Sequence, residues 1–142
     1  MNVSHLPRLL RLAMVALFVL PLFGCEASVP THPVTGTVML GDGSLAGGGI
    51  IKFRTTSPDG ETIKAHGLIQ PDGSFRLTTF QEGDGALEGE HQAILFTPAI
   101  SDGESTVAVP SFPKRYRKYE TSGLTFHVIP GENDFQIQLE TR

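Results

Sequence analysis

Short runs of alternating apolar and polar residues recur along most of the chain, and glycine, proline or aspartate interrupts them. The runs cover residues 34–40, 51–53, 63–69, 75–79, 91–96, 124–128 and 135–139. Alternation with a period of two is typical of β-strands that bury one face. No segment after residue 25 has a convincing helical period of 3.6 residues. About seven short strands divided by turn residues therefore predict an all-β fold, an antiparallel β-sandwich.

Turn residues indicate which of these runs are neighbours. Pro71-Asp72-Gly73 favours a tight turn, because proline fixes φ at the first corner and glycine accepts a positive φ at the last. We therefore expect residues 61–80 to form a hairpin. We expect residues 81–90 to form a glycine-rich acidic loop and residues 98–122 to form a long irregular connection.

The first 24 residues have the layout of a secretory signal peptide. Arg8 and Arg11 precede 12 consecutive residues, 12–23, that carry no polar side chain. A helix that crosses a bilayer needs about 20 apolar residues, so this stretch is too short for a permanent anchor. It has the length of the apolar region of a secretory signal, and we expect residues 1–24 to be removed.

The chain has a single cysteine, Cys25, and it stands directly after this segment. Leu22-Phe23-Gly24-Cys25 resembles the bacterial lipobox, although Phe23 is larger than the residue usual at its position. In that family the thiol receives diacylglycerol, the chain is cut before the cysteine, and the new amine is acylated. The resemblance implies lipidation of Cys25, a lipidated tether over residues 25–31, and a domain that faces the periplasm or the cell surface. An ordinary signal peptide with a chance cysteine is the alternative.

Composition and charge restrict the choice of partners. With 39% hydrophobic and 18% charged residues, the chain has the composition of a folded domain rather than a disordered one. The formal net charge is −4, and removal of Arg8 and Arg11 leaves 9 basic against 15 acidic residues, a charge near −6. This acidic balance gives no general reason to expect nucleic-acid binding. A single cysteine also excludes an internal disulfide.

Four stretches, in order, resemble motifs of the carboxypeptidase regulatory-like domains, a transthyretin-like (prealbumin-like) family of β-sandwiches. They are residues 33–38 followed by 42–48 and 51–53, residues 67–77, residues 85–93, and residues 116–128 followed by 131–135. The resemblance covers nearly all of residues 32–142 and implies one non-catalytic, transthyretin-like or immunoglobulin-like sandwich. The sequence departs from the family pattern at Ser44 and Glu88, where proline is usual, and at His91, where tyrosine is usual.

One cationic run stands out in this acidic domain. It consists of Lys114, Arg115, Tyr116, Arg117, Lys118 and Tyr119. We call these six residues the strip. Four positive charges next to two aromatic rings favour docking of an anionic polymer or a protein partner. The alternative is a solvated loop whose tyrosine anchors the approach to the next strand.

Candidate catalytic and metal-binding residues do not form a recognisable pattern. His32, His66, His91 and His127 are scattered, and no serine has the Gly-x-Ser-x-Gly context of a hydrolase nucleophile. The acidic residues of the 81–90 loop could offer oxygen ligands to calcium, but they lack the ligand order of an EF-hand, and ordinary loop acidity explains them. Transthyretin-like hydroxyisourate hydrolases end in Tyr-Arg-Gly-Ser, whereas this chain ends in Glu140-Thr141-Arg142.

We therefore predict no enzymatic activity, no metal and no cofactor. The expected function is that of a membrane-anchored lipoprotein of the bacterial cell envelope, with a non-catalytic β-sandwich that serves as an interaction or structural module. The expected partners are the membrane, through lipid on Cys25, and an envelope protein or glycan. The alternative is a carbohydrate-binding module that uses Tyr116 and Tyr119, and a small hydrolase is a more distant one.

Overall fold

A computed structural model describes residues 29–97 and 111–140. The predicted signal peptide, Cys25 and all but the last residues of the predicted tether lie outside these ranges, as do residues 98–110 of the predicted irregular connection. In the part of the chain that is described, no helix has the length and apolar character needed to cross a membrane.

The predicted all-β class is confirmed. The strands are β1 Thr31–His32, β2 Val34–Met39, β3 Ile50–Thr56, β4 Thr62–Leu68, β5 Ser74–Arg76, β6 Ala86–Leu87, β7 Gly89–Phe96, β8 Leu124–Val128 and β9 Asn133–Gln138. A single 3-10 turn, Lys114–Arg117, and a four-residue helix α1, Tyr119–Ser122, precede β8. The two-residue strands β1 and β6 are too short to show an alternating pattern, and the two helical turns lie in the segment expected to be irregular.

The strands form a sandwich of a three-stranded sheet, in the order β5-β2-β9, and a four-stranded sheet, in the order β4-β3-β7-β8. The short strands β1 and β6 pair separately. Strands β2 and β9 run parallel, from Val34 opposite Asn133 to Met39 opposite Gln138. Every other strand pair in the described ranges is antiparallel. The three-stranded sheet is therefore mixed, which the antiparallel expectation did not include.

The expected hairpin over residues 61–80 forms only in part. The turn itself forms, with Gly73 at φ 77 and its N–H donating to the Gln70 carbonyl at 2.9 Å, and beyond it His66 and Thr78 exchange backbone hydrogen bonds of 2.9 and 2.8 Å in an antiparallel bridge. The strands on either side of the turn nevertheless belong to different sheets, because β4 pairs with β3 and β5 pairs with β2. Side-chain packing places β5 in the three-stranded sheet, because Phe75 lies opposite Gly36 and its ring occupies the space that a Cβ at Gly36 would take.

The core lies between the two large sheets. Phe53 is fully buried, and its ring centroid is 5.1 Å from that of Phe126 and 6.2 Å from that of Phe135, so aromatic rings from both sheets meet. Each large apolar side chain buried in this way contributes about 1.5–3 kcal/mol. The aromatic group explains why these two sheets close into one unit.

The parallel pair β2–β9 gives the sandwich two distinguishable ends. The entry end contains His32, where the chain enters the domain, and the turn before Asn133, whose Gly131 N–H donates to His32 Nδ1 at 3.2 Å. The far end contains Leu40 and Glu140, which follow β2 and β9. At about 3.3 Å per residue, β2 separates the two ends by roughly 20 Å.

Candidate functional site

The strip divides into residues that belong to the structure and residues that face solvent. Tyr116 is only 3% exposed and belongs to the core at the far end. Its phenol oxygen accepts a hydrogen bond from the Glu140 N–H at 2.8 Å and another from the Arg115 guanidinium. Tyr116 thus anchors the strip, as the alternative interpretation expected of a tyrosine, although it is attached to Glu140, two residues after the end of β9.

Arg115 is committed within the protein as well. Its Nη2 donates to Glu140 Oε2 at 2.8 Å, and its guanidinium carbon lies 4.6 Å from the centroid of the Tyr116 ring. Hydrogen bonds to Glu140 and Tyr116 raise the pKa of the Arg115 guanidinium. The Arg115 carbonyl accepts a hydrogen bond from Thr121 Oγ1 at 2.6 Å, which joins the 3-10 turn to α1.

Tyr119 contacts the four-stranded sheet. The guanidinium carbon of Arg54, on β3, lies 4.0 Å from the centroid of the Tyr119 ring. The Tyr119 hydroxyl is buried without a hydrogen-bond partner, and this burial raises its pKa. Because Arg54 covers a face of the ring, the part of Tyr119 that is open to a ligand is small.

The remaining strip residues, Lys114, Arg117 and Lys118, are exposed. None of the three forms a salt bridge with a residue in the described ranges. They are the members of the strip that the structure leaves open to a partner.

A second basic surface lies on the outer face of the four-stranded sheet. Cross-strand register places Arg54 directly opposite Lys64 and Lys52 directly opposite His66. Directly opposed residues have Cβ atoms about 4.5–5.5 Å apart, and residues two apart on a strand are separated by about 7 Å. These four side chains, which we call the basic block, therefore share one small area of the sheet.

Contacts around the basic block hold Arg54 in place, whereas Lys52, Lys64 and His66 have no carboxylate partner among the described residues. Arg54 Nη2 donates to Gln92 Oε1 at 2.7 Å, and Glu120 Oε1 lies 4.0 Å away. Lys52 Nζ lies 4.8 Å from the centroid of the Phe96 ring. Among the residues that the structure describes, no carboxylate lies within 4.0 Å of the side-chain nitrogens of the block's two lysines and histidine.

A polar hollow of about 300 Å³ adjoins the basic block. It is lined by Arg54, Thr55, Thr56, Thr62, Glu90 and Gln92. Thr55 is buried and its hydroxyl donates to the Glu90 carbonyl at 2.7 Å, so it supports the floor of the hollow. Thr56, Thr62 and Gln92 are exposed and offer hydroxyl and amide groups to solvent. We call this depression the polar hollow.

The basic block has a signal in the sequence, but it is an alternation of residues rather than a run of consecutive charges. Lys52 and Arg54 occupy alternate positions of one strand, and Lys64 and His66 occupy alternate positions of the next. A hairpin turn between them brings these two pairs together on one sheet face. The strip, by contrast, is contiguous in sequence and was easy to find.

The four histidines lie on four different strands, β1, β4, β7 and β8. His91 is only 2% exposed, with Nε2 2.8 Å from the Leu87 carbonyl and Nδ1 buried without a partner. Burial lowers the pKa of His91, so the neutral ring is favoured in the core. His127 Nδ1 lies 2.7 Å from Glu90 Oε1 on the surface. Across the described residues, no three His, Cys, Asp or Glu side chains come together as a metal site.

The acidic loop is organised by Asp84. Its carboxylate accepts hydrogen bonds from the backbone N–H groups of Thr79 at 2.7 Å and of Phe80 and Gln81 at 3.0 Å each. Burial alone would raise the pKa of the Asp84 carboxyl, but these hydrogen bonds outweigh it and the pKa is lowered. The carboxylate serves the backbone of its own loop, which agrees with a structural interpretation of the loop's acidity.

Comparison of the chain with protein-family models, with curated proteins and with solved structures finds no match. The resemblance to carboxypeptidase regulatory-like domains is therefore one of ordered sequence motifs. The features of this chain that bear on function are Cys25 and the two basic surfaces of the folded domain.

Proposed function

We propose that the protein is a membrane-anchored lipoprotein of the bacterial cell envelope whose β-sandwich is a non-catalytic interaction module of the carboxypeptidase regulatory-like type. The observation that carries the proposal is the position of the single cysteine, Cys25, at the end of an apolar segment and six residues before β1. Each buried CH₂ of an acyl chain adds about 0.8 kcal/mol of membrane affinity, so two or three chains hold a protein firmly.

The folded domain supports this arrangement through the short distance from Cys25 to the entry end. The six residues that follow Cys25, up to Thr31 in β1, reach at most about 20 Å when fully extended. An anchored domain therefore stays near the membrane surface with its entry end toward the lipid. The strip begins at the far end, where Tyr116 is bonded to Glu140, and its last residue, Tyr119, lies against Arg54 on β3, so its first residues lie furthest from the anchor.

Mass spectrometry of the full chain, produced in bacteria and extracted from membranes, tests the anchor. We expect the N-terminal peptide to begin at Cys25 and to carry lipid. Cys25→Ser is the control and should yield no lipidated peptide. A mature, unmodified, soluble form of the wild-type chain would refute the lipoprotein proposal.

The exposed part of the strip is tested separately from its structural part. Lys114→Gln, Arg117→Gln and Lys118→Gln together remove three charges and leave the Tyr116 anchor in place. We expect weaker co-sedimentation with purified envelope polymer and an unchanged melting temperature. Unchanged co-sedimentation would remove the strip from the interaction surface.

Carbohydrate binding is the second candidate, and the polar hollow favours it over a purely protein-binding module. Its hydroxyl and amide groups suit the hydroxyl groups of a sugar. Tyr116 is buried and Arg54 covers a face of the Tyr119 ring, so these tyrosines are poorly placed to stack on a sugar. The carbohydrate surface proposed here is therefore on β3 and β4 rather than on the strip. A glycan array distinguishes the candidates, because a protein-specific module would leave it blank.

A further inference from the structure

We propose that the outer face of β3 and β4 binds an acidic polysaccharide, with the basic block contacting its anionic groups and the polar hollow contacting its hydroxyl groups. This inference rests on the proposed function only in treating the domain as an interaction module. It does not require the lipid on Cys25.

Charge is segregated on the outer face of β3 and β4. Acidic residues outnumber basic ones in the chain, yet the sheet places Arg54 directly opposite Lys64 and Lys52 directly opposite His66, so three positive charges and an imidazole share one face. Like charges directly opposite each other destabilise a sheet. A bound polyanion would convert this repulsion into attraction at several points at once.

The side chain of Arg54 is held in a fixed position. The amide of Gln92 and the ring of Tyr119 hold its guanidinium at 2.7 Å and 4.0 Å, respectively. A guanidinium presents a planar set of donors that matches carboxylate or sulfate groups. Because the side chain is already ordered, binding costs less conformational entropy.

A polysaccharide fits this surface better than other polyanions do. The polar hollow borders Arg54 directly and offers the exposed hydroxyls of Thr56 and Thr62 and the amide of Gln92, while the carboxylate of Glu90, which also lines it, lies 2.7 Å from His127 Nδ1. An anionic membrane or an acidic peptide would satisfy the cations but would not require this group of neutral donors and acceptors. A polymer that carries both charges and hydroxyl groups fits the whole surface.

Binding of the full chain in detergent to three polymers with one backbone tests the proposal. The probes are carboxymethyl-dextran, dextran sulfate and uncharged dextran. We expect binding to the two charged polymers, no binding to dextran, and weaker binding as salt is raised. Lys52→Gln with Lys64→Gln should weaken binding by about fivefold per charge removed. Arg76→Gln removes one charge from the exposed end of β5 in the three-stranded sheet; it is the control for Lys64→Gln alone and should bind as the wild type does.

A charge reversal separates binding from folding. Lys64→Glu places a carboxylate opposite Arg54, so we expect a higher melting temperature together with loss of polymer binding. If Lys64 served only the structure of the domain, a more stable variant would not lose polymer binding. Thr56→Val with Thr62→Val should weaken binding to carboxymethyl-dextran and leave any binding to polyglutamate unchanged.

Several outcomes would overturn the proposal. Block variants that bind like the wild type, or control variants that weaken binding equally, would remove the basic block from the site. Equal or stronger binding to polyglutamate, or to vesicles containing anionic lipid, would assign the surface to an acidic peptide or a membrane. Because binding is measured in detergent and repeated with Cys25→Ser, failure of the lipid-anchor proposal would be seen separately.

Discussion

The side chain of Asn133 is expected to be among the most important polar groups for stability. Its Oδ1 accepts the Ile129 N–H at 3.0 Å, and its Nδ2 donates to the carbonyls of Ile129 at 2.9 Å, Gly131 at 3.0 Å and Pro33 at 3.3 Å. The residue is only 7% exposed. One amide therefore closes the turn between β8 and β9 and ties it to the residue before β2.

The change Asn133→Ala removes all four hydrogen bonds. A typical intramolecular hydrogen bond contributes about 1 kcal/mol net, and the longest of the four contributes least, so we expect a loss of about 2–4 kcal/mol. For a domain of this size, such a loss lowers the melting temperature by on the order of 10 °C. Asn133→Asp keeps the volume and one acceptor but loses the donor, and it should be similarly destabilising at neutral pH.

Urea unfolding of the full chain in detergent, followed by far-UV circular dichroism, measures this effect. Gln136→Ala is the matched control, because Gln136 is exposed on the same strand and makes one side-chain bond, to Asp134 at 3.2 Å. It should change the free energy of unfolding by less than about 0.5 kcal/mol. If Asn133→Ala were no more than about 0.5 kcal/mol worse than this control, the argument that the amide joins the two strands would be refuted.

Three further changes test other parts of the domain by the same unfolding assay. Gly36→Ala should cost about 1–3 kcal/mol, since its Cβ would overlap the Phe135 carbonyl oxygen and lie 2.6 Å from Phe75 Cζ; unchanged stability would contradict the packing account. Tyr116→Phe should cost about 1–2 kcal/mol, because the Glu140 N–H loses its acceptor, and a loss of only a few tenths would argue against the anchor. Burial lowers the pKa of His91, so the unfolded chain binds the proton more readily and the free energy of unfolding should fall as pH decreases from about 7 to 5. His91→Gln should flatten that dependence, and an equally steep profile in the variant would exclude His91 as its source.

The strands could be predicted because each large sheet buries one face. In β2, Val34, Gly36 and Val38 are buried and the intervening residues are not, and this period of two is visible in the sequence. The same rule holds for β9 except near Phe135, which is only partly buried. Local alternation was therefore sufficient to predict the fold class and most of the strand positions.

Pairing could not be predicted in the same way. Strands β2 and β9 pair in parallel although Val34 and Asn133 are far apart in sequence, and nothing local to either strand specifies this partner. The turn before β5 has the residues of a hairpin, yet Phe75 packs over Gly36 and takes β5 into the other sheet. Turn chemistry fixes the direction of the chain, whereas side-chain packing fixes the sheet it joins.

The candidate site shows the same division between local and long-range information. The strip was found because its charges are consecutive, but half of its members proved to serve the structure, as Tyr116 does at the far end. The basic block was missed because its charges alternate with buried residues on two strands. Lys52 and Lys64 become neighbours on one face only after the register of β3 and β4 is known.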